Sequence, residues 1–410
     1  MLEHFFKGAQ TPRRLRQTYF GQYLDSFAEA LVSDGYAVHS GWLHINTIEY
    51  FGKWLSKNSI AVSQISCVHA EKFLLFRQRK KLLRRNDSAS LKRMIGLLVQ
   101  EGVVAEEIRP APTQSEVLIK EFADYLTNQR GLAPSTILYY KEFAFGFLNN
   151  CNSDTSFSLS AISAEDVINF IRKQAPTFRS RRVKLMTTAI RSFLQFARYR
   201  NYIRIDLAAA VPVVGYWSMA TIPKALDRDH VMAILHDADR NTPLGRRDYA
   251  ILLLLSRLGL RAGEVANLLL DDIDWQEGCI AVRGKGGQHS KMPTQKDVGE
   301  AIVEYLQKDR PATSGSRAVF LRFRSPHVGL TGGEVVGNVV KRALKRAGIK
   351  SLRNGAHQLR HALACEMLRN EASLAEIGEL LRHRAPQSTM IYAKVDELSL
   401  QPLALPWPGR

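Results

Sequence analysis

The stretch Tyr249-Ala-Ile-Leu-Leu-Leu-Leu-Ser-Arg-Leu-Gly-Leu-Arg-Ala-Gly-Glu-Val265 sets the frame for the rest of the chain. Its first part continues a strongly apolar segment that begins at Leu244, and the composition predicts a buried helix over Leu244–Leu258. Gly259 is suited to end that helix, because glycine enters the left-handed conformation of a helix C-cap without a Cβ penalty. The unbroken apolar run, Ala250–Leu255, stops at Ser256 and Arg257. That is far short of the ~20 residues a bilayer span needs. The helix is therefore expected in a protein core, not in a membrane.

Downstream, Ile273–Trp275 and Cys279–Val282 flank Gln276-Glu-Gly278 and predict a hairpin. Gly284-Lys-Gly-Gly287 makes a second tight turn into Lys291–Thr294. Further helices are expected over Glu334–Ala347, closed by Gly348, and over His357–Leu368, Leu374–Leu381 and Gln387–Tyr392. This part mixes helices with a small antiparallel sheet. Upstream, the middle of the chain is expected to be all-helical. Val117, Ile119, Phe122, Ala123 and Leu126 form a stripe on Glu116–Asn128, and Ser135 follows Pro134 at the start of a second helix through Tyr140 and Phe147. Ser163-Ala-Glu-Asp166 has capping-box spacing, and Arg181–Tyr199 supplies a fourth, very basic helix.

Length and composition shifts divide the chain. The 410 residues suit two or three domains. Arg109-Pro-Ala-Pro112 is a stiff break, and Pro212, Gly215 and Pro223 bracket an irregular stretch. The expected parts are a helical segment 1–108, a helical domain 113–208, a linker 209–221, a larger domain 222–396 and a tail 397–410. The first part parallels the second in order: Phe27-Ala-Glu-Ala-Leu31 with Phe122-Ala-Asp-Tyr-Leu126, Ile65-Ser66 with Ile162-Ser163, and Gly102-Val-Val104 with Asn201-Tyr-Ile203. A diverged duplication is one explanation and chance likeness of amphipathic helices the other.

Charge narrows the function. The formal net charge is +18 with pI near 9.8, an excess that points to a polyanionic partner. Ten basic residues and no acid lie between Arg172 and Arg204; Arg172, Lys173, Arg179, Arg181, Arg182, Lys184 and Arg191 are the candidates for DNA phosphates. Residues 77–93 carry Arg77, Arg79, Lys80, Lys81, Arg84, Arg85, Lys92 and Arg93 against only Asp87. The four cysteines, Cys67, Cys151, Cys279 and Cys365, are scattered and suggest neither disulfides nor a zinc site. No phosphate-binding Gly-Lys-Ser/Thr loop, carboxylate metal cluster or secretory signal is evident, so no cofactor, no metal and a cytoplasmic location are expected.

Four further segments carry chemistry: Leu258-Gly-Leu-Arg-Ala-Gly-Glu-Val265, Gly284-Lys-Gly-Gly287, His357-Gln-Leu-Arg-His361, and Leu381-Arg-His383 with Ile391-Tyr392. In this order they resemble the catalytic domain of the tyrosine recombinases, the phage integrase family. Arg130-Gly-Leu-Ala-Pro-Ser-Thr136 followed by Tyr140 resembles that family's helical, SAM-like core-binding domain. The resemblance implies a DNA strand transferase needing neither ATP nor metal, with Tyr392 as nucleophile. It further implies that Arg261 and Arg360 clamp the scissile phosphate, that Lys285 protonates the leaving oxygen, that His357 is a general acid/base, and that His383 seats the phosphate or the nucleophile. Glu264 would orient the cations.

Two departures stand out. Leu-Arg-His-Arg replaces the usual Leu-Gly-His, putting charge and bulk at Arg382, and Ala262-Gly263 replaces a larger residue and serine. His289, His327 and His361 are read as structural or surface histidines, and Tyr139, Tyr140 and Phe143 as core. The implied partners are double-stranded DNA with specific sites, further copies of the chain in a tetrameric synapse, and companion recombinases of a mobile element. The apolar residues of 397–410 are expected to pack on their own domain or dock on a neighbouring copy. A type IB topoisomerase-like relaxing enzyme and a catalytically silent DNA-binding accessory protein are the rival readings.

Overall fold

A computed structural model describes residues 1–106, 112–151, 159–215, 225–284, 289–311, 315–351 and 355–395. Lys285, part of the 209–221 linker and the 397–410 tail lie outside the described residues. By internal contacts there are two compact units. One holds residues 112–215; the other holds residues 1–106 with 225–395.

The 112–215 unit contains, numbered in chain order, α6 (Gln114–Asn128), α7 (Pro134–Cys151), α8 (Ala164–Gln174) and α9 (Ser180–Tyr199). Ser163 caps α8 through the Asp166 amide at 3.2 Å, while Asp166 accepts from the Ser163 amide at 2.9 Å, so aspartate completes the capping box. Phe122, Phe147, Phe193 and Phe196 fill the core, where Tyr140 and Phe143 are buried, while Tyr139 is exposed.

In the larger unit the first part comprises α1 (Gln10–Arg16), α2 (Leu24–Ser33), α3 (Val38–Lys57), α4 (Cys67–Arg79) and α5 (Asp87–Gln100), packed round their own apolar core of Phe27, Ile48, Phe51, Phe73 and Met94. The second part comprises α10 (Arg228–His236), α11 (Pro243–Arg257), α12 (Ala262–Ala266), α13 (Lys296–Lys308), α14 (Gly333–Arg346), α15 (His357–Arg369) and α16 (Leu374–Leu380). Its antiparallel sheet has the order β1 (Ile273–Asp274), β2 (Cys279–Arg283), β3 (His289–Pro293), with Ile280 opposite both Ile273 and Met292. Ile280 and Val282 face the core. Helix α11 runs through the centre of that core, with Ala250–Leu255 all buried. Thr242 caps it by accepting from the Gly245 amide at 3.1 Å, and Gly259 at φ +59° ends it.

Tyr139, expected in the core, is exposed, because it lies on the solvent side of α7, and a second expectation also fails. Residues 387–392 are not a helix: two single 3₁₀ turns, Pro386–Ser388 and Tyr392–Val395, occupy this stretch. Among the described residues, no helix is long and apolar enough to cross a membrane.

Candidate active site

The turn after α11 places the first arginine. Gly259 takes φ +59°, and a Cβ there would lie 2.7 Å from the Leu381 side chain and 3.0 Å from that of Leu363. Glycine lets the chain pass this close, so that Arg261 emerges as the N-cap of α12. Glu264, one turn on, accepts from the Arg261 amide at 2.8 Å and from its Nη1 at 2.7 Å. The carboxylate thus fixes both the backbone and the guanidinium of Arg261.

The second arginine comes from α15. Arg360 is only 2 % exposed, and its two terminal nitrogens donate to the carbonyls of Gly259 and Leu381. Arg261 Nη2 donates to the next carbonyl, that of Arg382, at 3.3 Å. The two guanidiniums therefore converge on consecutive peptide units of one turn. Burial lowers Arg360 to about 10, and the nearby charges of Arg261 and Arg382 push the same way. It remains a cation near neutral pH.

Arg382, the departure from the family pattern, keeps the turn instead of altering it. It adopts φ +53°, the conformation glycine would take, at the C-terminal end of α16. Its side chain folds back to pair with Glu264 at 2.9 Å and reaches the Leu380 carbonyl at 3.2 Å and the Met292 sulfur of β3. Burial favours the neutral form of Glu264, but the Arg261 hydrogen bonds and the Arg382 and Arg261 charges outweigh it and hold the carboxyl below its ordinary range. Three guanidiniums (Arg261, Arg360, Arg382) face this single carboxylate, which leaves two positive charges unmatched. Such a site favours a bound anion.

Tyr392 closes the group. Its side chain is 1 % exposed, and burial pushes its phenol up to about 12, the Arg360 charge opposing. His361 Nδ1 lies 2.9 Å from the phenol oxygen. The sequence reading set His361 aside; the available signal was its position four residues after His357 on one helix, which puts both rings on one face. Those rings are 5.2 Å apart, with His357 at the exposed end of α15. His383 lies parallel to the Tyr392 ring at 6.5 Å and shares a 2.7 Å hydrogen bond between its Nδ1 and Thr389 Oγ1. Burial, helped by Arg360 and Arg261, lowers His383 to about 4, so it is neutral at physiological pH. Lys285 belongs to the connection between β2 and β3 and is outside the described residues.

The expected phosphate-binding cations of the 112–215 unit lie elsewhere in the chain. Arg172, Lys173, Arg179, Arg181, Arg182 and Lys184 are exposed, with Arg182 paired to Glu142 at 2.8 Å. Arg191 is half-buried and donates to the Val211 carbonyl at 2.9 Å.

Comparison with known proteins identifies the family. The Phage integrase family matches residues 224–398, and the Phage integrase, N-terminal SAM-like domain, matches residues 119–201. The chain is 46 % identical over 390 residues to y4rA of Sinorhizobium fredii, provisionally named an integrase/recombinase, covering 94 % of each chain. It is 30 % identical to the tyrosine recombinase XerC of Oceanobacillus iheyensis over 69 % of this chain and 92 % of the relative. Among solved structures, the XerH site-specific recombinase bound to palindromic difH substrate shares the fold with a TM-score of 0.55 at 18 % identity, over 70 % of this chain and 84 % of that one. The chain belongs to the phage integrase family, the tyrosine recombinases.

Proposed function

We propose that this protein is a site-specific DNA recombinase in which Tyr392 attacks a backbone phosphorus. The bond from phosphorus to the 5′ oxygen breaks as the tyrosyl bond forms, leaving a 3′-phosphotyrosyl protein and a free 5′ hydroxyl. Attack by a 5′ hydroxyl of the partner strand reverses the step. The phosphodiester energy is kept in the covalent bond, so the balance needs no ATP.

Roles follow from chemistry. Arg261 and Arg360 offer paired donors to the nonbridging oxygens, where charge accumulates in the transition state. Glu264 holds Arg261 and Arg382 in place. A phenol raised to about 12 needs a base, and imidazoles of α15 are the groups at hand: His361, hydrogen-bonded to the phenol, takes its proton first, and His357, whose ring lies 5.2 Å from that of His361, is proposed as the general acid/base that relays it. Neutral His383 supplies a hydrogen bond, and Lys285 the leaving-group proton.

The observation that carries this reading is the convergence of Arg261 and Arg360 on the Leu381–Arg382 turn beside the buried Tyr392. The relatives' names as recombinases support it. Domains are proposed as 1–108, 113–208 (core-binding), a linker 209–221, 222–396 (catalytic) and a tail 397–410. Exchange between two duplexes cuts four strands, so four copies on paired sites form the synapse, in the cytoplasm where the DNA is. The test is covalent trapping on a nicked duplex: wild type forms a protein–DNA adduct and Tyr392→Phe does not. Equal behaviour of the two proteins would end the proposal.

A further inference from the structure

The first part of the chain repeats the architecture of the 112–215 unit. Both run long helix, left-handed glycine, long helix, 3₁₀ turn, serine-started helix, final helix. Gly35 at φ +75° and Gly131 at φ +56° separate α2 from α3 and α6 from α7. The turns Val62–Gln64 and Leu159–Ala161 precede α4 and α8, whose N-caps are Ser66 and Ser163. The final helices end alike: Gly102 at φ +70° and Asn201 at φ +60° are each followed by two amides donating to one carbonyl, Leu98 in the first case and Ala197 in the second. Phe27, Phe51, Phe73, Met94 and Val104 hold the core places of Phe122, Phe147, Phe170, Phe193 and Ile203, all buried. Chance alignment of amphipathic helices does not reproduce caps, left-handed residues and carbonyl acceptors together.

The cations recur at the same place. In the second copy they surround the connection from α8 into α9, at Arg172, Lys173, Arg179, Arg181, Arg182 and Lys184. In the first they fill the connection from α4 into α5, where Arg79, Lys80, Lys81, Arg84 and Arg85 are all exposed. No ion pair among the described residues engages these five.

This connection is built, not loose. Asp87, fully buried, accepts from Arg77 Nε at 2.8 Å, the Arg84 amide at 2.8 Å and Thr47 Oγ1 at 2.9 Å. Arg77 Nη2 donates to the Leu82 carbonyl at 2.7 Å, and Lys81 adopts φ +56°. A buried ion pair contributes little net stability, since desolvation offsets its attraction. What it does here is clamp a cationic loop from below, so that little ordering is left to be lost on binding. Leu82 and Leu83, 57 % and 46 % exposed, stand among the cations.

We propose that residues 1–106 are a second, diverged copy of the SAM-like domain and a second duplex-DNA contact, made through the phosphates by Lys80, Lys81, Arg84 and Arg85. This rests on DNA as the substrate class. The test uses the full-length chain carrying Tyr392→Phe, so that binding is read without chemistry, on a labelled duplex of about 40 base pairs over roughly 0.05–0.3 M KCl. Replacing Lys80, Lys81, Arg84 and Arg85 with Gln is expected to flatten the plot of log K against log salt by roughly 2 to 4, at about 0.9 per phosphate contact. Replacing Lys7, Arg13 and Lys57, exposed cations of the same part, should leave it unchanged. An unchanged slope in the loop variant overturns the proposal, as does an equal loss in the control. An unaltered melting temperature shows that the loop variant folds. Failure of the recombinase reading would appear separately, as a missing wild-type adduct on nicked DNA.

Discussion

The Nδ1 of His361 sits 2.9 Å from the hydroxyl of Tyr392, and its ring centre lies 5.6 Å from that of the phenol, against 6.5 Å for His383. A phenol raised to about 12 is protonated throughout the neutral range, so in the proposed reaction a neighbour must take its proton as the phosphorus bond forms. His361→Asn can keep a hydrogen bond but cannot accept that proton, and His361→Phe keeps neither. Both variants are expected to slow adduct formation by about 10²-fold, with the rise of rate with pH shifted upward. A His361→Asn protein with the wild-type rate and pH profile would reduce the contact to packing.

Acid stability tests the environment of His383. Its folded value is about 4, against about 6.5 for an exposed histidine, with burial the leading cause and Arg360 and Arg261 next. Between these values the unfolded chain holds the extra proton. Stability from this group is therefore complete above about pH 6.5 and is lost as pH falls toward about 4. Comparing urea unfolding of wild type and His383→Gln at about pH 7 and about pH 4.5, the difference between the proteins should shrink by on the order of 2 kcal/mol. Parallel pH dependences would show that the folded protein does not disfavour the imidazolium.

Two glycines with similar backbones make a matched comparison. Gly259 at φ +59° has Leu381 and Leu363 in the way of any Cβ, whereas Gly278 at φ +62° has nothing within 4 Å. Gly278→Ala is expected to cost about 1 kcal/mol in chemical denaturation and to leave cleavage intact. Gly259→Ala should cost roughly 2–4 kcal/mol and also displace the carbonyl that holds Arg360, so the adduct yield falls with it. Equal losses at the two positions would contradict this account of the turn.

Glu264 and Arg382 form the remaining test. Glu264→Gln leaves Arg382 and Arg261 without their shared buried carboxylate and is expected to destabilise by about 3 kcal/mol. Arg382→Gly removes one cation and also relieves a left-handed non-glycine residue, so its net effect should stay within about 1 kcal/mol. In the double variant a large part of the Glu264→Gln loss should be recovered, a coupling of about 1–2 kcal/mol in a double-mutant cycle. Additive losses would mean that the pair does not interact in solution.

Much of the fold was legible because its signals are local. Gly259 and Gly348 each follow a helix where the apolar pattern stops, Gly278 closes the turn before β2, and Ser163 with Asp166 announces α8. The His-x-x-Arg spacing likewise places His357 and Arg360 within one turn of α15. The rest depends on tertiary placement. A helix is expected over 387–392 and is absent, because single 3₁₀ turns carry no period to detect. His361 gained meaning only when that irregular stretch brought Tyr392 against it from 31 positions away. At Arg382 composition misled: an arginine in a glycine's conformation is uncommon, and only the Glu264 pairing explains how the side chain is accommodated.

Tyr392, proposed above as the nucleophile, has 1 % of its surface open, too little for anything as bulky as a duplex to reach its phenol. For the phenol to come within ~3.5 Å of phosphorus, as the proposed reaction requires, the packing around Tyr392 has to open first. A lone molecule wandering along a chromosome in this state is therefore a sheathed blade.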